Sequence, residues 1–380
     1  MKSGRRAFAF VTNLIEVAEF SCYLKPIMDR WKKKHGLNRD RISGVSNNTN
    51  PYITTKPEAS PSATKGVAIK RGWWEIVNSH FRRVSLEILN IFMNHDWLFW
   101  LIGVVNKRLG LIESIFLAYP ATENYALAYL YRHRLSKVLW NPWPCGLLLQ
   151  NKKIGLMFCI SATNAHFTDP KNLENLRQVA ERMEKLRRLL GANRKTFAGI
   201  LPGVLYCKKI IHEAPEADLA AKAVVQAVNV VQANESLDSE TPVIVLGGRG
   251  FIGRRVIKLL NKPTTYSIDT VAGQSEKDWP NHLRGRRVIV VNTSLSHALD
   301  NYLEVLWPGT VVINEVYPEP TPRILEKLRT RNCSFYHIVG VNATAVPPFP
   351  AAYKGAIPCC AAWPSPHIKI LVRRAISRDQ

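Results

Sequence analysis

The sequence predicts an α/β protein with a doubly wound, mostly parallel sheet in its C-terminal part. The first sign is a short apolar run, 243–246, followed by a glycine-rich turn and a helical pattern. The same strand pattern returns in 283–294 and 308–322, and a helical segment at 324–332 precedes a further strand. Strands that alternate with helices of this length are typical of parallel sheets.

The turn after the first of these strands has the spacing of a dinucleotide-binding site. Gly248-x-Gly250-x-x-Gly253 matches the Rossmann fingerprint. Its glycines allow the chain to leave the strand, the backbone to approach a pyrophosphate and the helix to pack on the strand. A helix over 252–260 would direct its N-terminal N–H groups at the phosphates. The predicted cofactor-binding residues of the turn are Gly248, Arg249, Gly250, Phe251, Ile252 and Gly253.

Polar residues after the next two strands extend this site. Asp269 follows a strand over 264–268 and lies 21 positions after Gly248, where an acidic residue binds the ribose 2′-OH of NAD. Arg249 favours NADP instead, because an arginine can bind its 2′-phosphate. The cofactor therefore stays open as NAD(P)H. Thr293 and Ser294, at the end of the third strand, are further cofactor-binding candidates.

Composition and charge restrict the class of protein. The 380 residues include 52 lysines and arginines against 29 acidic residues, a net charge of +23, which indicates an anionic partner. Such a partner is a phosphorylated substrate or carrier, or an anionic membrane surface; nucleic acid is not expected, because no basic-aromatic RNA-binding signature is present. No apolar run predicts a spanning helix, and the start lacks a signal-peptide layout. Seven cysteines without metal-ligand spacing predict no metal site and a reducing, cytoplasmic location, either free or peripheral at a membrane.

The chain divides into five predicted stretches. A basic amphipathic N-terminal segment (1–45) precedes a flexible linker (46–66) that is rich in Asn, Thr, Ser and Pro. A substrate domain with a Trp-rich helical region (67–235) leads into an NAD(P)-binding Rossmann domain (236–345). A segment containing several prolines and two cysteines (346–380) returns to the substrate domain.

Two interpretations of the Trp-rich region, 73–110, are open. It combines four tryptophans with aliphatic residues and flanking arginines and lysines. Such a segment can lie in a membrane interface, with basic residues on the headgroups and aromatic rings at the boundary. It can equally be a pair of core helices.

The rest of the substrate domain has its own α/β pattern. A buried strand lies in 151–162, and Asp169-Pro170 marks the start of an amphipathic helix that Gly191 ends. A small-residue strand and turn, 195–206, and an Ala/Val-rich helix, 218–233, lead into the nucleotide-binding strand. This order predicts a smaller α/β substrate domain before the Rossmann domain.

The order of these segments resembles a known family. KKIGLMFCISA, LENLRQVAERMEKLRRLLGA, FAGILPGVL, the Ala/Val helix and VIVLGGRGFIGRRV resemble, in this order, the long-chain fatty acyl carrier protein reductases, which make fatty aldehydes. Those proteins share the aminoacid-dehydrogenase-like Rossmann domain of shikimate dehydrogenase and glutamyl-tRNA reductase. The resemblance covers about 150–375.

The resemblance implies a cysteine nucleophile near the carboxyl end. IPCCAAW (357–363) stands at that place, and Cys360 is preferred to Cys359 because small alanines follow it. A thiolate would attack an acyl thioester, with the acyl group on a carrier such as acyl carrier protein, and nicotinamide hydride would then reduce the enzyme thioester to an aldehyde. Lys354 is a candidate for lowering the thiol pKa, and His337 and His367 are candidate acids, although lone histidines are more often structural.

Two other functions are compatible with the sequence. A small hydroxy or amino acid dehydrogenase of the shikimate dehydrogenase type would use a Lys/Asp pair and neither cysteine. A non-catalytic, nucleotide-binding, membrane-associated subunit would bind cofactor without turnover. The expectation that we carry forward is an NAD(P)-dependent oxidoreductase of lipid metabolism.

Overall fold

The computed structural model describes residues 73–120, 126–127, 129–269, 279–295, 298–317, 319–349, 353, 355–365 and 368–376. The predicted basic segment (1–45) and linker (46–66) lie outside the described residues.

Two helices begin the described chain. Helix α1 spans Trp73–Met93 and α2 spans Asp96–Leu109. Gly110 ends α2 in the left-handed conformation, with φ of 60°. No single helix among the described residues is long and apolar enough to cross a membrane; His80–Met93 and Asp96–Leu109 meet that test only together, and they are bent by 83° at their junction.

The first sheet contains five strands. These are β1 (Ile112–Ala118), β2 (Trp143–Gln150), β3 (Lys153–Cys159), β4 (Arg194–Phe197) and β10 (Thr344–Val346). Their order is β10-β2-β3-β1-β4, and β3, β1 and β4 are parallel, whereas β2 and β10 run antiparallel to their neighbours.

Four helices follow the strands of this sheet. They are α3 (Asn164–Thr168), α4 (Leu173–Leu190), α5 (Leu201–Cys207) and α6 (Pro215–Asn234). Asp169 accepts a hydrogen bond from the Lys171 N–H in a short 3-10 turn before α4, and Gly191 ends α4 with φ of 61°, as its position after the last periodic leucine predicts. Apolar side chains at helical spacing bury one face of α4, because this face packs on the first sheet.

The second sheet contains six strands. They are β5 (Val243–Leu246), β6 (Thr265–Ile268), β7 (Ile289–Asn292), β8 (Val311–Asn314), β9 (Ser334–Val341) and β11 (Ile370–Ile376). Their order is β11-β9-β8-β7-β5-β6; β5 to β9 are parallel, and β11 is antiparallel to β9. Helices α7 (Gly253–Leu260) and α8 (Pro322–Thr330) follow β5 and β8. The predicted α/β class with mostly parallel strands is confirmed.

Helix α6 joins the two sheets through one core. Its Ala and Val side chains belong to a buried cluster that includes Phe116 and Leu148 of the first sheet and Val245 and Ile313 of the second. The C-terminal residues also connect the sheets, since β10 pairs with β2 and β11 pairs with β9. The described residues therefore form one compact unit.

Candidate active site

The main cavity lies at the carboxyl ends of parallel strands from both sheets. Its volume is about 690 Å³. Tyr119, Ile160 and Gly199 follow β1, β3 and β4 and line one side, while Ser294 and Glu315 follow β7 and β8 and line the other. Ligands of α/β proteins bind at this edge of parallel sheets, so the cavity is the candidate site.

The glycine-rich turn at the end of β5 leaves no room for side chains. Gly247 turns the chain out of the strand with φ of 77°, and its carbonyl oxygen accepts a hydrogen bond of 2.8 Å from the Gly250 N–H. A Cβ added to Gly248 would lie 2.2 Å from Ser267 Oγ, and one added to Gly253 would lie 2.1 Å from the Gly247 oxygen. The backbone therefore approaches the neighbouring strand and the start of α7 closely, as a pyrophosphate cradle requires.

Asp269 lies directly against this turn. Its Oδ1 accepts a hydrogen bond of 3.2 Å from the Arg249 N–H, and its Oδ2 lies 2.9 Å from Arg249 Nε. The Asp269 side chain is 14% exposed, whereas that of Arg249 is 75% exposed. The two groups that would favour NAD or NADP thus form one ion pair, in which the carboxylate is fixed and the guanidinium can move.

The loop after β7 packs on the glycine turn. Thr293 Oγ1 donates a 2.9 Å hydrogen bond to the Leu246 oxygen, and the Ser294 N–H donates one of 3.2 Å to Asn292 Oδ1. The Ser294 Cβ lies so close to the turn that a Cβ on Gly247 would be 2.9 Å from it. The predicted cofactor-binding residues therefore lie together at the ends of β5, β6 and β7, and four of them line the cavity: Phe251, Ile252, Thr293 and Ser294.

Cys359 and Cys360 reach the same cavity on a 3-10 turn, Cys359–Ala361. Gln150 fixes the chain after this turn, because its side chain bonds both the carbonyl oxygen and the N–H of Trp363, at 2.8 and 3.3 Å. Cys359 is 7% exposed, while Cys360 is half-buried and faces the cavity. The structure therefore favours Cys360 as the accessible thiol.

The surroundings of Cys360 keep its thiol protonated. Burial, with a smaller contribution from the carboxyls of Glu315 and Glu216, raises the pKa of Cys360 to about 12, although a hydrogen bond from the Gly199 N–H favours the thiolate. Burial also holds the pKa of Cys359 well above its usual range. Lys354, expected to lower the thiol pKa, lies outside the described residues.

His337, one of the two candidate acids, does not support an acid role. His337 is buried within β9 and does not line the cavity; its Nδ1 lies 3.2 Å from Asn314 Nδ2. Burial lowers the pKa of His337 to about 4, so the imidazole is neutral at physiological pH. His367 lies outside the described residues.

Tyr119, Glu216 and Glu315 are polar cavity residues that were not predicted from the sequence. Tyr119 Oη accepts a 3.0 Å hydrogen bond from the Ile200 N–H, which leaves its own proton for another acceptor, and burial holds the Tyr119 pKa well above its usual range. Glu216 Oε1 accepts a 3.2 Å hydrogen bond from the Phe197 N–H, and its Oε2 has no partner among the described residues. Burial raises the pKa of both Glu216 and Glu315 to about 7.

The sequence positions of two of these residues could have identified them as site candidates. Tyr119 and Glu315 each come directly after a buried parallel strand, where side chains reach ligands. Glu216 follows only a proline at a helix start, and nothing in the local sequence indicates that it is 2% exposed in the folded chain.

The remaining cavity wall is mainly apolar. Lysine, arginine, histidine and aspartate are absent from its described lining residues, which include Phe116, Leu130, Met157, Ile338 and Phe349. Among the described residues, no group of three or more His, Cys, Asp or Glu side chains is placed to hold a metal ion. The cavity thus offers no positive charge to a small carboxylate substrate and suits an apolar one.

Comparison with known proteins adds no family assignment. The chain matches no protein-family model, and no curated protein matches it significantly. The functional argument therefore depends on the residues and geometry of the cavity.

Proposed function

We propose that this chain is an NAD(P)H-dependent reductase that converts an apolar acyl thioester to an aldehyde through a thioester on Cys360. The observation that carries the proposal is a single cavity lined by the Cys360 thiol and by Phe251 and Ser294 of the predicted cofactor site. A nucleophilic thiol next to a hydride donor is the arrangement that two-step thioester reduction needs.

The second sheet supports the proposal of a Rossmann domain. β6 pairs with one edge of β5 and β7 with the other. The strands that follow β5 in the chain are therefore added first on one side of it and then on the other. Dinucleotides bind at such switch points, at the carboxyl ends of the strands. The glycine turn fits this role, because a Cβ at Gly248 or Gly253 would collide with its neighbours. When bound, the reduced nicotinamide would supply a hydride to the acyl carbon.

The cavity wall supports an acyl substrate. Its apolar side chains can contact a hydrocarbon chain, and no described lining residue carries a positive charge for a carboxylate. The overall charge of +23 suits an anionic carrier of the acyl group, either coenzyme A or acyl carrier protein, at the protein surface.

In the first step, Cys360 would lose its proton and accept the acyl group. A carboxylate from Glu315 or Glu216 accepts the thiol proton, since both have pKa values of about 7 and influence Cys360 electrostatically. Cys360 Sγ then bonds to the carbonyl carbon of the thioester, and the bond from that carbon to the carrier sulfur breaks. The carrier thiolate leaves and takes up a proton.

In the second step, the acyl group on Cys360 is reduced. Hydride addition to its carbonyl carbon places negative charge on the oxygen, and the Tyr119 hydroxyl is placed to donate a hydrogen bond in the cavity because its own acceptor position is filled by the Ile200 N–H. The bond from carbon to Cys360 Sγ then breaks, the aldehyde leaves and the thiol regains its proton. The net reaction consumes one reduced nicotinamide and one proton for each thioester.

The proposal is tested by following cofactor oxidation with a long-chain acyl-coenzyme A. We expect oxidation of NADH or NADPH by the wild type and a loss of at least ~10³-fold in Cys360→Ala, because this variant lacks the proposed nucleophile. Cys359→Ala is the matched control and should retain activity within a few-fold. Cofactor binding without oxidation in the wild type would instead indicate a non-catalytic nucleotide-binding subunit.

A further inference from the structure

Helices α1 and α2 carry most of the large apolar side chains that the described part of the chain exposes to solvent. Phe92 is 68% exposed, Trp97 65% and Trp100 59%. We call this set the 81–109 surface; it comprises Phe81, Val84, Ile88, Ile91, Phe92, Trp97, Trp100, Leu101, Val105 and Leu109. Contiguous apolar exposure of this kind marks an interaction site.

The exposed side chains follow one stripe along each helix. On α1, Phe81, Val84, Ile88 and Ile91 recur at intervals of three and four residues, and on α2 a similar spacing continues from Trp97. The opposite faces pack on the rest of the fold, with Leu86 of α1 and Phe99 and Asn106 of α2 buried. Each helix is therefore anchored by one face and leaves the other without a partner among the described residues.

The buried faces fix both helices firmly. On α1, Leu86 packs in a cluster with Leu130 and Trp143. On α2, the Phe99 ring lies edge-on to Phe158, with 5.7 Å between centroids, and Asn106 Nδ2 donates a 3.1 Å hydrogen bond to the Leu190 oxygen. The 81–109 surface is thus a feature of the folded chain.

The charges beside this surface are basic in balance. Residues 80–109 contain four arginines and lysines against two acidic residues, Glu87 and Asp96. Both carboxylates are neutralised by residues outside the two helices, since Glu87 pairs with Arg134 and Asp96 Oδ1 lies 2.7 Å from Arg182 Nη1.

The cationic groups near the end of α2 remain exposed. Lys107 and Arg108 lie in its last turn, next to the apolar stripe. Basic side chains that flank tryptophans and aliphatic residues on an exposed helix face match the charge and polarity of an anionic lipid surface.

We propose that the 81–109 surface docks on a bilayer containing anionic phospholipids, with the aromatic rings at the headgroup boundary. The 83° bend between the helices suits a pair that lies in the plane of the interface. Helix α1 also packs its buried face on Leu130 and Tyr129, which line the cavity, so the helix that carries part of the docking surface contacts the cavity wall. The proposal does not depend on the chemistry assigned to Cys360.

Vesicle flotation of the full chain tests this directly. The probes are vesicles of phosphatidylcholine alone and of phosphatidylcholine mixed with phosphatidylglycerol. We expect the wild type to float with the anionic vesicles and the double variant Trp97→Ser/Trp100→Ser to bind them roughly tenfold more weakly. Lys107→Gln/Arg108→Gln should reduce the preference for anionic over neutral vesicles.

The control removes two exposed apolar side chains elsewhere on the chain. Val230 and Leu259 are 41% and 43% exposed, and Val230→Ser/Leu259→Ser should bind vesicles as the wild type does. Circular dichroism of each variant checks that it is folded. Equal vesicle binding by the tryptophan variant and the wild type would overturn the proposal, as would a wild-type dimer in light scattering that this variant converts to monomer.

Discussion

Cys360 is a nucleophile candidate whose surroundings in the cavity favour the protonated thiol. Burial raises its pKa to about 12, so attack on a thioester requires a base. Glu216 and Glu315, with pKa values of about 7, can act in that role near neutral pH. The family resemblance pointed to a cysteine near the carboxyl end, and the alanines after Cys360 favoured it over Cys359. Nothing in the sequence pointed to these carboxyls, because burial and proximity arise only on folding.

Burial of the Glu216 carboxyl also predicts that the free energy of unfolding depends on pH. Its pKa is about 7 in the folded chain against 4.5 for an ordinary glutamate, so the folded state binds more protons between these values. The free energy of unfolding should therefore fall as pH rises from about 4.5 to about 7, by roughly 3 kcal/mol from this residue. Urea denaturation across this interval measures the effect.

Glu216→Gln supplies the control. The amide oxygen can still accept the hydrogen bond from the Phe197 N–H, but the side chain no longer ionises. The variant should lose the share of the pH slope that Glu216 contributes and should be more stable than the wild type above pH ~7. An unchanged slope would show that Glu216 titrates normally in the folded chain.

At the scale of elements, the segment from β5 to α7 is the proposed cofactor-binding element. A Cβ at Gly253 would lie 2.1 Å from the Gly247 oxygen and 2.8 Å from the Gly248 Cα. Gly253→Ala must therefore move the turn or the start of α7. We expect a loss of NADH and NADPH affinity of at least ~10-fold, measured by titration of nicotinamide fluorescence.

Lys258→Ala is the matched control for this substitution. Lys258 is exposed in the last turn of the same helix, so its replacement should leave cofactor affinity nearly unchanged. If Gly253→Ala bound cofactor as tightly as the control, the turn would not be the dinucleotide site.

Elements with strong local signals were predicted well from the sequence. The parallel strands β5 to β9 and the end of α4 at Gly191 follow from apolar runs and glycine positions, whereas β11 was not predicted. Helix α8 begins at Pro322, two residues before the predicted start, because proline is well accommodated in the first helical turn. The interpretation of 73–110 could not be decided locally, since one apolar stripe of each helix is buried and the other is exposed.

At the scale of the molecule, the candidate site depends on contacts between distant parts of the chain. The Gly199 N–H, in the loop after β4, donates a hydrogen bond to the Cys360 sulfur. The carboxyl of Glu216, in α6, raises the pKa of the same thiol. The order of strands and the shared core bring these residues together. Apolar periodicity does not specify which strands are neighbours, so this assembly could not be predicted from the sequence.

The distribution of charge separates the cavity from the surface. The chain has a net charge of +23, yet its described cavity lining has two glutamates and no lysine or arginine. Positive charge is therefore available to an anionic carrier or a lipid headgroup outside the cavity, while the cavity itself suits an apolar acyl group.

Trapping the acyl-enzyme is the most direct test of the central claim that one cavity serves both the thiol and the cofactor. The full chain would be incubated with a long-chain acyl-coenzyme A without cofactor, and its intact mass and peptide map recorded before and after NADH or NADPH is added. We predict one acyl group on Cys360, discharged as fatty aldehyde when the cofactor is supplied, and no adduct on the cavity thiols of Cys360→Ala. An adduct on Cys360 that the cofactor cannot discharge, or aldehyde formation without any adduct, would contradict the account.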